Sequence, residues 1–427
     1  MKKYFVFAAM ALATFMNYSC SEVDKPGSPT VGTYEFDGKE YPANIIATFK
    51  AELGAEVSLT LGTYLPNDVY GVDFGDGKIV SDSVGWQNGG VREGDGEMPS
   101  EKPGTAYKGA TIFKGKVAGE GIVTVYGNSD LWYLVATGGL APTSFDQQGL
   151  KKVVQMSFSG ANVDKVELPS YETLTHFSFN NSSVKSVDVS KAVNLTSLII
   201  NNTTESTYEP QLESIDLSKN TKLDYLSLQG NQNNYGKLTS IDLSKNIKLK
   251  DILLQYNKLT QITLPADYTS LNNKGVPAKI TLSLNNNELT AINDLDKIPE
   301  KSLVYIQSNK FTLATLPKKT SNIKTYSYVP QSAYEVPETV SELDLSSQLT
   351  ATGVLAEPVE TTYSFVTASG TTLVAGTDYE VTAPGKFKFL TAQTEKVHGV
   401  MATLAFPNFK GNNAYKTTEF TVSVAAE

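Results

Sequence analysis

The sequence predicts a β-dominated, multidomain protein: a β-sandwich, then a solenoid of repeats built on a parallel sheet, then a second β-sandwich. Three observations predict it. Both ends of the chain alternate apolar and polar residues at period two, broken by Gly, Asp and Pro. The middle carries a self-similar aliphatic motif at intervals of 21 to 28 residues. A composition with 22 Tyr, 18 Phe, 32 Gly and 18 Pro favours strands and tight turns over helices. At 427 residues there is chain enough for several cores.

Residues 1–19 read as a secretory signal: Lys2-Lys3, an apolar run from Tyr4 to Met16, then polar residues up to Ser19. The run is too short to serve as a spanning helix, and no later segment is apolar for long enough. Cys20 is the one cysteine, so no disulfide within the chain is possible and an exported protein must rely on burial. Met16-Asn17-Tyr18-Ser19-Cys20 resembles a bacterial lipobox, with Asn17 where an aliphatic residue is usual. That resemblance implies lipidation of Cys20 and a membrane contact through the N-terminal lipid only. Ser21-Glu22-Val23-Asp24 is similar to the surface-export signal of Bacteroidetes lipoproteins, which implies an outer-membrane anchor facing the cell exterior. Residues 20–29 are then a lipidated tether.

From 30 to 129 the expectation is an antiparallel sandwich, with segments such as Glu56–Leu61 and Gly121–Tyr126 as strands and Gly85–Pro103 as an exposed loop. Residues 130–322 carry the repeats. The first half-motif runs Leu131-Leu134-Ala136, Val153-Met156-Phe158, Leu174-Phe177-Phe179 and Leu195-Leu198-Ile200. It continues through Leu223-Leu226-Leu228-Asn231, Leu249-Ile252-Leu254-Asn257, Leu282-Leu284-Asn287 and Val304-Ile306-Asn309. The first six starts are 22, 21, 21, 28 and 26 residues apart, within the leucine-rich-repeat period. A second half-motif follows each, as in Val163-Val166-Leu168, Leu212-Ile215-Leu217 and Leu238-Ile241-Leu243, so every coil supplies two inward aliphatic runs. The Asn after the strand should form a ladder of backbone hydrogen bonds, with Ser182 and Thr203 standing in for it in early coils. Tyr326 to Glu427 returns to alternation and suits an Ig-like sandwich over 326–427, placed to cover the last coil.

Leu212–Asn220 and Leu238–Asn246 resemble the repeats of Bacteroidetes leucine-rich-repeat surface lipoproteins, and Val72-Asp73-Phe74-Gly75-Asp76-Gly77-Lys78 is similar to the signature turn of polycystin-type (PKD) sandwiches. The resemblance covers roughly residues 20–330 and implies a PKD-like N-terminal domain, a surface location and a binding role.

Function classes narrow accordingly. Formal net charge is −9, and loss of Lys2 and Lys3 with the signal makes the mature chain more acidic, which disfavours nucleic acid and anionic membrane surfaces. The two histidines, His176 and His398, lie far apart, and no G-x-S-x-G, H-E-x-x-H or phosphate-cradling loop is present, so neither catalysis nor a cofactor is expected. Asp73 and Asp76, and Glu93, Asp95 and Glu97, do not match a calcium loop, and turn formation accounts for Asp-Gly. Glu167, Asp188, Asp216 and Asp242 repeat in the second half-motif, a solvated edge with Lys191, Lys219 and Lys245 between the acids.

The strand face carries the binding expectation. Ser159, Asn180, Asn201, Gln229, Gln255, Asn285 and Gln307 occupy equivalent places, as an amide column either bonded side chain to side chain or free for a partner. His176, Tyr225, Asp251, Tyr256 and Thr281 flank it, and Tyr305 continues the row beside it. A neutral amide face with tyrosines suits an extracellular protein, as in an adhesin or assembly factor, or else a glycan of a nutrient-uptake system. Trp86 and Trp132 are the only tryptophans, which gives the glycan reading few aromatic platforms.

Overall fold

A sheet that changes from antiparallel to parallel partway along its width organises the molecule. The computed structural model describes residues 32–63, 68–84, 110–128, 131–146, 149–270, 275, 278–355 and 357–424. The expected signal, Cys20, the tether, Trp86 and the acidic loop of Glu93, Asp95 and Glu97 lie outside the described residues. Three short 3-10 turns are the helical elements among those described, and no described helix is long and apolar enough to cross a membrane.

The N-terminal sandwich packs a five-stranded sheet against part of an eleven-stranded one. In the five-stranded sheet the order is Ala141–Phe145, Ile45–Lys50, Ile122–Tyr126, Asp68–Asp73, Ile79–Val84. Inward Phe49, Tyr70, Val72 and Val125 meet Leu59, Leu61, Phe113 and Leu134 from the other sheet, all buried. In the Asp73 turn, the carboxylate accepts the N–H groups of Gly75 (2.7 Å) and Gly77 (3.1 Å), so Asp73 holds the turn.

Strand Leu131–Thr137 joins the two architectures. One edge pairs antiparallel with Glu56–Thr63 and the other parallel with Gln155–Ser159. The chain then returns through Ala141–Phe145 to the five-stranded sheet before entering the regular coils. The sequence divides sandwich from solenoid at 129/130; in the structure the hydrogen-bonded sheet runs across that point. Phe158 seals the junction, with ring centroids 6.2 Å from Phe49 and 6.1 Å from Phe145.

From there the strands are all parallel: Gln155–Ser159, His176–Asn180, Ser197–Asn201, Tyr225–Ser227, Asp251–Leu253, Thr281–Ser283, Ser302–Tyr305 and Ile323–Ser327. This is a leucine-rich-repeat solenoid. No coil can bury its aliphatic stripe alone, so Phe177, Leu198, Leu226, Ile252, Leu282 and Val304 stack one above another in consecutive strand register. The second half-motif forms the opposite side, with short parallel pairs such as Val166–Glu167 with Val187–Asp188 and Ser240–Asp242 with Gln261–Thr263.

The polar ladder differs from expectation in one rung. Ala161 N–H donates to Ser182 Oγ, and Ser182 N–H to Asn202 Oδ1, so Asn202 and not Thr203 holds the position. That coil reaches its turn one residue sooner. Asn231, Asn257, Asn287 and Asn309 continue the ladder, each buried. A second ladder lies on the far side: Asn220 Nδ2 donates to Val189 O (3.0 Å) and Ala192 O (2.9 Å), and Asn246 Nδ2 to Leu217 O (3.1 Å) and Asn220 O (2.9 Å). These bonds answer the carbonyls that a turn without sheet partners would leave bare.

The solenoid has one strand more than the motif shows. Ile323–Ser327 pairs parallel with Ser302–Tyr305, and Gln331 takes the ladder place, accepting Asn309 N–H and donating to Ile306 O. Beyond it, the Ig-like sandwich is made of two three-stranded sheets, ordered Glu342–Asp344, Lys386–Phe389, Tyr379–Ala383 and Thr362–Thr367, Val397–Ala402, Tyr415–Lys416, with short flanking pairs. Phe365 is its centre, 4.9 Å from Phe387 and 5.2 Å from Phe389 between centroids. Tyr328 docks the two units together, its ring 5.5 Å from Phe406 and 5.4 Å from Phe409.

Candidate binding face

Three side-chain rows cross the outward face of the parallel strands. Successive parallel strands lie about 4.8 Å apart, so each row is a near-continuous stripe. The first row runs Gln155, His176, Ser197, Tyr225, Asp251, Thr281 and Leu303, the second Ser157, Ser178, Ile199, Ser227, Leu253, Ser283 and Tyr305. In the third, Ser159, Asn180 and Asn201 pair in the sheet, while Gln229, Gln255, Asn285 and Gln307 follow the ends of the shorter later strands. The face therefore brings together His176, Asn180, Asn201, Tyr225, Gln229, Asp251, Gln255, Asn285, Tyr305 and Gln307, all half-buried.

Tyr256 is not on that face. It sits in the turn beyond, with φ +58°, in the left-handed region that bulky residues rarely adopt. Equivalent turn places hold Gly160, Asn181, Asn286 and Ser308, also at positive φ. Sequence reasoning also missed Tyr235, which reaches Tyr256 from the preceding coil with centroids 5.5 Å apart and rings at 86°. The extra length of the 26-residue spacing that holds it, against 21 and 22 in the early coils, was the available signal.

The amides do not form one continuous ladder. Among the described residues Gln255 Nε2 bonds to Gln229 Oε1, while Asn180 Nδ2 reaches the hydroxyls of Ser178 (3.3 Å) and Ser157 (3.4 Å). No hydrogen bond is formed by the side chains of Asn201, Asn285 and Gln307 within the described residues, and Ser227 Oγ is buried with no partner there. Polar groups left in this state lower the cost of exchanging water for a partner that supplies the missing bonds.

Charge is sparse on the face and its ionisation is held in check. Burial pushes the His176 imidazole below its ordinary value, partly offset by Asp224, and Nδ1 lies 2.8 Å from Thr175 Oγ1. His176 is therefore neutral at physiological pH. It is half-buried. Burial, then Asp251, raises the Tyr225 phenol, which stays protonated and able to donate. Asp224 pairs with Lys250 at 3.2 Å on the rim.

The acidic column lies on the other side and is explained by turns more than by lysines. Asp188, Asp216 and Asp242 accept the N–H of Ser190 (2.9 Å), Ser218 (2.8 Å) and Ser244 (2.8 Å). Hydrogen bonds from those serines are what chiefly hold all three carboxyls below the usual range; Lys191, Lys219 and Lys245 act after them. Each acid is thus a turn-former in an Asp-x-Ser step. Among the described residues no group of three or more His, Cys, Asp or Glu is placed to hold a metal ion.

No family model matches the chain, and no curated protein does. Among solved structures it is similar to the functional domain of InlJ from Listeria monocytogenes, described as including a cysteine ladder, at 16% identity and a TM-score of 0.34. The similarity covers 66% of this chain and 60% of that one.

Proposed function

We propose that this chain is a non-catalytic, surface-exposed lipoprotein that recognises an extracellular protein through the strand face of its leucine-rich repeats. The carrying observation is the set of unspent, half-buried amides of Asn201, Asn285 and Gln307 beside Tyr225 and Tyr305. Such a surface is uncharged enough to desolvate and polar enough to give orientation, and tyrosine supplies contact area at low entropic cost. An adhesin or assembly role fits a long, regular surface. The N-terminal sandwich, PKD-like in its Asp73 turn, is proposed as the spacer between membrane and repeats. No cofactor or nucleic acid enters this reading.

Replacement of Tyr225, Asn285 and Gln307 by Ala together is expected to weaken binding of a partner from an extracellular-protein panel by at least ~2 kcal/mol, the scale of a hot spot. Lys219→Ala with Lys245→Ala, on the other side, should change little. Calorimetric titration of folded variants decides between them, and loss confined to the lysine variant would move the site off the strand face. Anchoring is tested separately. With Cys20→Ala the chain should leave the membrane fraction for the soluble one; detergent-dependent fractionation of that variant would refute the lipid anchor.

A further inference from the structure

The turns at the ends of the strands hold a second feature, independent of the strand face. Tyr256 occupies a left-handed turn position that its counterparts fill with Gly, Asn or Ser, a conformation unfavourable for a bulky side chain. Strain of this kind persists only where neighbouring structure enforces it, and it clusters at binding sites. The neighbour here is the 231–236 loop. Asn231 Oδ1 accepts the N–H groups of Asn233 (2.8 Å) and Asn234 (2.9 Å), and Asn231 N–H donates to Asn234 O (3.0 Å). Gly236 N–H then donates to Tyr256 O (2.8 Å). A Cβ on Gly236 would fall 1.9 Å from Asn257 Oδ1, so only glycine lets the loop lie this close to the ladder.

The locked loop presents Tyr235, 44% exposed, at a right angle to Tyr256. The Tyr235 hydroxyl donates to Asn286 Oδ1 (3.3 Å) two coils on, fixing the ring from a third direction. Gln232 and Asn233 stand exposed on the same loop, and the nearby Lys237 ammonium is bonded to Gln211 Oε1. The result is a rigid aromatic corner with amides beside it.

We propose that Tyr235 and Tyr256 bind a neutral pyranose unit of an oligosaccharide. A sugar ring presents polarised C–H groups on its face, which suit the electron-rich face of a tyrosine, and hydroxyls around its rim, which suit amides. An anionic ligand would draw on an ion pair more than on the two rings, and the Lys237 ammonium is turned to Gln211 Oε1. An apolar side chain would require an enclosing pocket, whereas this ledge is open. Pre-organisation removes much of the ordering cost that weakens recognition of so small a group. The strain at Tyr256 then has a use.

The test immobilises neutral oligosaccharides of glucose, xylose, galactose and N-acetylglucosamine and measures retention of the mature chain. At least one should be retained, with affinity falling about tenfold or more in Tyr235→Ala and in Tyr256→Asn, a loss of the size of one aromatic contact. Tyr256→Asn should not lower the melting midpoint, because Asn accepts the left-handed turn. Tyr235→Phe should retain binding. The proposal is overturned if no neutral sugar is retained, if either variant binds as the parent does, if only acidic oligosaccharides or peptides bind, or if Tyr256→Asn loses binding only by unfolding. Tyr225→Ala with Asn285→Ala and Gln307→Ala should leave sugar retention intact, which separates this site from the strand face.

Discussion

Asn309→Ala is expected to destabilise the protein by roughly 3–5 kcal/mol, taking about 1–3 for each buried group left unpaired. Asn309 is fully buried. Its Nδ2 donates to Leu284 O (2.9 Å), Ile306 O (3.0 Å) and Gln307 O (3.3 Å), and its Oδ1 accepts Leu289 N–H (3.0 Å). Alanine would strand these backbone groups in a dry turn between two coils. Serine is the informative comparison, because Ser182 holds an early rung by accepting Ala161 N–H and donating to Asn180 O. Asn309→Ser should therefore lose about half as much as alanine. Asn285→Ala, whose side chain makes no bond within the described residues, should stay within about 0.5 kcal/mol, as surface substitutions do. Denaturant titration checks the series. A loss below about 1 kcal/mol for Asn309→Ala would mean that water satisfies the turn and that the ladder is not a source of stability.

The ladder also shows what could be read from the sequence. The aliphatic period located the parallel strands, because a coil that must bury two stripes in fixed register leaves its residues at fixed intervals. It located the strand face as well: ten of the expected binding residues fall there together. Tyr256 did not, since three residues past Leu253, where its strand ends, the backbone turns left-handed and the side chain leaves the face. Asn202 was misread as Thr203 for a similar reason, a turn shortened by one residue, which a fixed spacing cannot represent.

The ends of the solenoid were harder to read than its middle. Leu131–Thr137 uses its two edges differently, antiparallel toward the sandwich and parallel toward the first coil, and alternation reads the same in both cases. At the other end Ile323–Ser327 lacks the motif because its work is different. Tyr326 stands in register with Val304, and Gln331 replaces the ladder asparagine. A terminal coil faces a foreign domain on one side, so it exchanges leucines for aromatics that the next domain can grip.

Tyr328→Ala tests that grip and is expected to cost roughly 3–5 kcal/mol, the range for truncating a buried aromatic. Tyr328 is 6% exposed, although it lies at the boundary between two units. Its ring packs against Tyr326 on the solenoid side and against Phe406 and Phe409 of the sandwich, and its hydroxyl accepts Asn408 N–H (3.1 Å). Further hydrogen bonds, such as Ala314 N–H to Gln348 Oε1 (3.4 Å), join the same units. Tyr328→Phe removes only the hydroxyl and should cost about 1 kcal/mol. Because a solenoid's stability propagates through neighbouring interfaces, the alanine variant should also change the form of unfolding. Calorimetry should find one transition in the parent and two in Tyr328→Ala, with the sandwich and the repeats melting apart. If the parent already melts in two steps and the alanine variant moves neither, the sandwich is an independent module. The terminal aliphatic layer would then be protected by the coil of Ile323–Ser327 itself.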